Sequence, residues 1–149
     1  NPTVLDDVAF GPLNQGKSIK DAKDISRKAL SDLGIGDLED RITYKLSGGE
    51  KKLVSLATVL AMKPEVLLLD EPTSGIDPDT THKIMHILES IDVSAIIISH
   101  DMDFISHTTG VIYGMLDGRI TKERGEFAHS HVHTHGHGEV PHTHSDISG

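Results

Sequence analysis

Val66-Leu67-Leu68-Leu69-Asp70-Glu71-Pro72 is an unbroken apolar run that ends on two acids and a proline. A short apolar run bounded by turn signals reads as a buried strand of a parallel sheet. Its two carboxylates then arrive at the C-terminal edge of the sheet, where open α/β sheets bind ligands. Asp70 is placed to hold Mg²⁺ through water, and Glu71 to orient or deprotonate an attacking water. The bland alternative is a pair of solvated acids ahead of a Pro72 turn.

Downstream, Ser74-Gly75-Ile76-Asp77 precedes Pro78, which suits the first turn of a helix carrying Ile84, Ile87, Leu88 and Ile91. Asp77 is at minimum an N-cap. Ala95-Ile96-Ile97-Ile98 reads as a second buried strand, ending at Ser99-His100. A single His at a strand end is usually a surface residue, but this one shares an edge with Asp70 and Glu71. Val111–Leu116, Asp117-Gly118 and Arg119–Thr121 predict a hairpin with a tight turn.

Upstream, Leu46-Ser47-Gly48-Gly49-Glu50 opens a helix that carries Leu53, Leu56, Ala57, Leu60 and Ala61 and is closed by Pro64. Glycines and a Ser at a helix N-terminus offer free N–H groups, a hydroxyl and the positive dipole end, an anion site suited to phosphate. An ordinary Ser-capped helix would look the same. Further upstream, Ser18 caps a helix with Asp21 in its first turn. Ile19, Ala22, Ile25, Ala29, Leu30 and Leu33 fall on one face, and Gly34 stops it. Residues 1–16 read as turns, from Gly11, Pro12, Asn14 and Gly16. Strand, helix, strand in this order predicts a parallel α/β sheet with an antiparallel edge.

The 149 residues suit one domain. At 3% aromatic, the chain has too few rings for an aromatic-lined ligand cavity. Fourteen Lys and Arg against 23 Asp and Glu give 14 − 23 = −9, which argues against sequence-independent nucleic-acid binding. The absence of cysteine excludes disulfides and thiolate chemistry. No apolar run reaches the 18 or so residues that span a bilayer. The chain opens on Asn1 without a signal-peptide pattern, so an upstream segment is expected.

Composition changes at Gly125: all 14 Lys and Arg precede it, and seven of 11 His follow it. The segment 125–149 is expected to be a disordered tail. His129, His131, His133, His135 and His137 recur at every second residue, with His142 and His144 beyond. In an extended chain such alternate residues stand roughly 6.5–7 Å apart, so the chain must bend to share an ion. Imidazoles without thiolates suit Ni²⁺, Co²⁺, Cu²⁺ and Zn²⁺. A metal-binding tail is therefore read here, against a solvated tail or an expression tag. His82 and His86 lie one helical turn apart; they could form a site, but exposed helix residues are the reading favoured for them.

Taken together, Leu46–Glu50, Leu67–Pro72, Ser74–Asp77 and Ser99-His100 resemble, in order and spacing, the signature motif, Walker B, D-loop and switch histidine of the ABC ATPases. The resemblance covers about residues 1–124. Asp7-Val8-Ala9-Phe10-Gly11-Pro12-Leu13-Asn14 and Ala61-Met62-Lys63-Pro64-Glu65 look like the ATPase subunits of energy-coupling-factor and cobalt/nickel-type importers. The resemblance implies a P-loop NTPase-like fold, truncated at its N-terminus. A mostly helical signature subdomain would occupy 1–62, and a core sheet with parallel strands 63–124. It implies two ATPase domains sandwiching ATP head to tail. Ser47, Gly48 and Gly49, with Glu50 closing the motif, would meet the γ-phosphate of the partner's ATP. Asp70 would serve Mg²⁺, Glu71 would be the general base, His100 would contact the γ-phosphate, and Asp77 would communicate across the dimer. It also implies a transmembrane coupling subunit, a metal-specific membrane component, and residence at the cytoplasmic face of the membrane. The sequence departs from the family at Glu50, where Gln is usual, and at Lys51-Lys52-Leu53, where an Arg is common.

Gly11-Pro-Leu-Asn-Gln-Gly16-Lys17-Ser18 satisfies the Walker A pattern G-x-x-x-x-G-K-[ST]. Context speaks against it. Asp6 and Asp7 stand where the preceding strand should be apolar. Lys20, Lys23, Asp24, Arg27 and Lys28 give the following helix a polar face. Only 30 residues separate Lys17 from Ser47. The phosphate loop and the Q-loop glutamine are expected upstream of Asn1, leaving this chain inactive alone. The expected function is the C-terminal part of an ATP-hydrolysing subunit that drives import of a divalent metal, nickel or cobalt. The alternative is a fragment that no longer hydrolyses ATP and buffers metal through its tail.

Overall fold

The computed structural model describes residues 2–121; the seven tail histidines lie outside the described residues. The first element is a helix, α1 (Val4–Asn14), where turns were expected. Its start is fixed by a reciprocal cap: Thr3 Oγ1 accepts from the Asp6 amide at 3.2 Å, and the Asp6 carboxylate accepts from the Thr3 amide at 3.3 Å. Gly11 and Pro12 are not turn residues here. Pro12 is buried inside the helix, and a Cβ on Gly11 would stand only 2.6 Å from Met62 Cγ. Glycine serves close packing at this position.

α2 (Ile19–Asp32) and α3 (Gly48–Ala61) pack on α1 and on each other. The Ser18 cap and the Gly34 stop are as expected; Gly34 takes φ +63°. Ala22, Ala29, Leu30 and Leu33 are buried, whereas Ile19 is 70% exposed and leaves the predicted apolar face. Ser26 is fully buried, its hydroxyl donating to the Ala22 carbonyl at 2.7 Å. Val4, Val8, Leu30 and Ala57 form the centre of the core, which continues through Ile84 and Met85 to Phe104.

β1 (Val66–Asp70) pairs in parallel with β2 (Ser94–Ile98), and Asp70 lies opposite Ile98. α4 (Pro78–Ser90) crosses between them, with Pro78 at its first turn. α5 (Met102–Thr108), which periodicity did not reveal, follows β2 and buries Phe104. β3 (Gly114–Leu116) and β4 (Arg119–Thr121) form the expected hairpin, with Asp117 at φ +50° and Gly118 at φ +73°. Positive φ at both turn residues is what a type I′ turn requires.

Two expectations are corrected. The hairpin is a separate two-stranded sheet among the described residues, not an edge of the parallel one. The parallel strands are not buried on both faces: Leu67 is buried, but Leu68 is 75% exposed and Ile96 and Ile98 face the same way. An apolar run reports what a strand is suited to meet. The helices described here cover one face only.

Candidate functional site

Two groups of the predicted residues are brought together. The first is at the C-terminal ends of the parallel strands. His100 Nδ1 stands 2.9 Å from Glu71 Oε1. The sequence placed these residues on one edge, and 29 positions apart in the chain they are hydrogen-bonding neighbours. Glu71 holds its place through its backbone: its amide donates to the Ile98 carbonyl at 2.8 Å, and its φ is +45°. A left-handed φ at a non-glycine residue is strained and is kept only where the surroundings impose it. The second carboxylate oxygen of Glu71, Oε2, is buried and has no hydrogen-bond partner among the described residues. Asp70 is exposed beside it at the strand end.

The carboxylate of Glu71, by hydrogen bond and then by charge, raises the His100 pKa above its ordinary value. The contact engages Nδ1, and Nε2 of His100 makes no hydrogen bond among the described residues. Lys52, noted in the sequence only as part of a departure from the family and given no site role there, completes this group. Lys52 Nζ reaches from α3 and donates to the Glu71 carbonyl at 3.1 Å. The contact spans 19 positions, so no local pattern announces it.

The second group surrounds the start of α3. Ser47 caps the helix, accepting from the Glu50 amide at 3.2 Å, while Glu50 accepts from the Ser47 amide at 2.7 Å. Glu50 also takes Arg41 Nη1 at 3.0 Å. These bonds, that from Ser47 first, hold its carboxyl below the usual range. The role its geometry defines is thus to lock the helix start. The amides of Gly48 and Gly49 have no acceptor among the described residues, as an anion site requires.

Next to this start lies the Ser74–Asp77 segment. A Cβ on Gly48 would meet the Gly75 carbonyl at 3.7 Å, and one on Gly49 would press on Thr80 Oγ1 at 2.8 Å. Asp77 caps α4, accepting from the Thr80 amide at 2.9 Å and its hydroxyl at 2.8 Å. These two bonds lower its pKa. Asp77 therefore has the capping role that its place before Pro78 predicted.

The Walker A-like string is not a phosphate loop. Gly11 to Asn14 finish α1, and Gly16 at φ +83° turns the chain into α2. Among the described residues no strand precedes them. Gln15 Nε2 instead donates to the Met62 carbonyl at 3.1 Å, tying the ends of α1 and α3. A hollow of about 170 Å³ between α3 and β1, walled mainly by apolar groups such as Leu56, Leu68 and Pro72, is too small for a nucleotide.

Comparison with known proteins fits this geometry. The ABC transporter family model matches residues 3–74. The energy-coupling factor transporter ATP-binding protein EcfA of Methanosphaera stadtmanae is 44% identical over 124 residues, covering 81% of this chain and 45% of that protein. A Nitratidesulfovibrio vulgaris protein, provisionally named an ABC transporter ATP-binding protein, is 46% identical over 143 residues, 96% of this chain and 52% of its own length. That match reaches into the histidine-rich segment. Among solved structures, cbiO1 from Clostridium perfringens, part of the ABC transporter complex cbiONQ, superposes with a TM-score of 0.72 at 36% identity, covering 80% of this chain and 49% of that one. The ADP conformation of an ATP-binding cassette of an ABC transporter gives 0.69 at 28% identity, over 83% and 56% of the two chains. The chain thus spans about half the length of the curated relatives it matches.

Proposed function

We propose, for a chain that resembles the ABC-transporter ATP-binding family over residues 3–74 and has the ABC ATPase fold, that its two residue groups serve opposite sides of composite ATP sites. ABC ATPases use ATP with Mg²⁺, and the residues here suit that ligand. Among the described residues Glu71 Oε2 is a buried acceptor without a partner, Asp70 is an exposed carboxylate at the same strand end, and two glycine amides at a helix start have no acceptor. Magnesium-bound ATP would supply the scissile phosphoanhydride.

The chain's own residues then divide the work. Asp70 would hold Mg²⁺ through water. Glu71 would take the proton of the attacking water. His100, held by its Nδ1 on Glu71, would present Nε2 to the γ-phosphate. Ser47, Gly48 and Gly49 would donate to the γ-phosphate of a second subunit's nucleotide, with Glu50 bracing the helix start. Asp77, at the base of the segment beside Gly48, would report across the dimer. The Glu71–His100 contact is the observation that carries this reading.

The cargo is the finer part of the proposal. The energy-coupling-factor and cbiO1 likenesses favour an importer with a transmembrane coupling subunit and a metal-specific membrane component, nickel or cobalt being the cargo. The tail histidines would gather that metal. A match running into the tail favours a natural segment over an expression tag. Among the described residues no helix is long and apolar enough to cross a membrane, so attachment at the cytoplasmic face would be peripheral. The test mixes this chain with an intact ATP-binding subunit of the energy-coupling-factor type and follows ATP turnover. Stimulation by the wild-type chain and not by Ser47→Arg supports the composite site. No stimulation at any ratio rejects it, and metal buffering by the tail becomes the better account.

A further inference from the structure

The groove between α4 and α5 is lined by none of the residues assigned above. It encloses about 260 Å³ and is lined by His82, Met85, His86, Glu89, Asp103 and His107. We propose that this groove is a site for a divalent transition-metal ion, with the imidazoles of His82, His86 and His107 as ligands. The proposal stands independently of the ATPase reading.

The first argument is placement. His82 and His86 are four residues apart on α4, which puts their side chains one above the other on one face. His107, in the last turn of α5, faces the same groove. Three imidazoles from two helices, with a fourth position left to water, make an open tetrahedral set.

The second argument is the outer ring of hydrogen bonds. His86 Nδ1 lies 3.3 Å from Glu89 Oε2. His107 Nδ1 lies 2.8 Å from the Asp103 carbonyl and 3.6 Å from its carboxylate. Metal-binding histidines characteristically give one ring nitrogen to a carboxylate or carbonyl, which fixes the tautomer and leaves the other nitrogen for the ion. Two of the three rings make such a contact through Nδ1 in the positions seen here, and it must re-form once the rings have turned toward an ion. The two carboxylates also make the groove acidic, which favours a cation.

Among the described residues no three donors already surround one point at ligand distance. The His86 and His107 side chains are 81% and 55% exposed, and the proposal requires them to turn from the positions seen here toward His82. Nitrogen donors select Ni²⁺, Zn²⁺ and Cu²⁺ and not Mg²⁺, which prefers oxygen.

The tail would mask this site, so the experiment uses the full chain with all seven tail histidines replaced by Gln. Ni²⁺ and Zn²⁺ are titrated separately by calorimetry, and Co²⁺ is followed by its visible absorption. The expected result is saturable binding of one ion per chain. His107→Gln should weaken it at least tenfold, and Glu89→Gln, which touches the ion only through His86, by about tenfold. Far-UV circular dichroism should show both variants folded, since both residues are exposed. Absence of saturable binding overturns the proposal. Binding that needs His82 and His86 but is untouched by His107→Gln overturns the two-helix site as well.

Discussion

Gly49→Ala tests the contact that joins the two halves of the site. The added Cβ would stand 2.8 Å from Thr80 Oγ1, 3.1 Å from its Cγ2 and 3.3 Å from its Cβ. Thr80 cannot swing aside freely, because its hydroxyl donates to Asp77 at 2.8 Å. Overpacking of this kind costs about 1–3 kcal/mol. The same substitution gains up to about 1 kcal/mol in helix propensity, less in the first turn than in mid-helix. The net expectation is a loss of about 1–2 kcal/mol. Thr80→Ala removes the two nearest atoms at a cost of about 1 kcal/mol for the hydroxyl bond. In that background Gly49→Ala should be neutral or stabilising by a few tenths of a kcal/mol. The four proteins make a double-mutant cycle with a coupling of about 1–2 kcal/mol, read by urea unfolding followed at 222 nm. A stable Gly49→Ala single variant, or a coupling below about 0.5 kcal/mol, would show that α3 does not start against Thr80.

Three further outcomes are expected. Leu30→Ala, at a fully buried position between the helices, should cost about 3–5 kcal/mol in urea unfolding; a loss under about 1 kcal/mol would mean the core lies elsewhere. Lys17→Ala should change unfolding free energy by less than about 0.5 kcal/mol and leave any Mg-ATP binding unaltered, whereas binding lost in the variant would restore the phosphate-loop reading. Glu71→Gln should return the His100 pKa toward 6.5, seen in the imidazole resonances on titration. Because the folded pKa is raised, the pair's stabilisation is fully present below about pH 6.5 and disappears as pH rises through the folded value. An unchanged titration in Glu71→Gln would mean the contact does not persist in solution.

Most of the site was legible because its residues sit at element ends, where sequence punctuation is strongest. Ser47 before two glycines, Asp77 before Pro78, and Asp70-Glu71 after an apolar run each mark a boundary, and each boundary is where the fold puts it. α1 was missed because Gly11 and Pro12 were read as turn residues, although Thr3 and Asp6 carried the capping pattern. α5 is too short for periodicity to reveal. Lys52 was invisible for a different reason: its partner is a backbone carbonyl, and backbone atoms have no sequence identity. Strand burial was misjudged because composition shows only that a strand can be covered on both faces.

That half-covered sheet has a bearing on how the molecule behaves in a tube. Among the described residues Val66, Leu68, Ile96 and Ile98 present a greasy plane, and the two-stranded ribbon has no further strand on either edge. Such a ribbon is a template for strand addition, and no charge interrupts the apolar stretch within either strand before Asp70. Handled alone, the chain should precipitate with steep dependence on concentration. A lysine introduced at Leu68, pointing outward from the plane, should act as a gatekeeper and keep it dispersed.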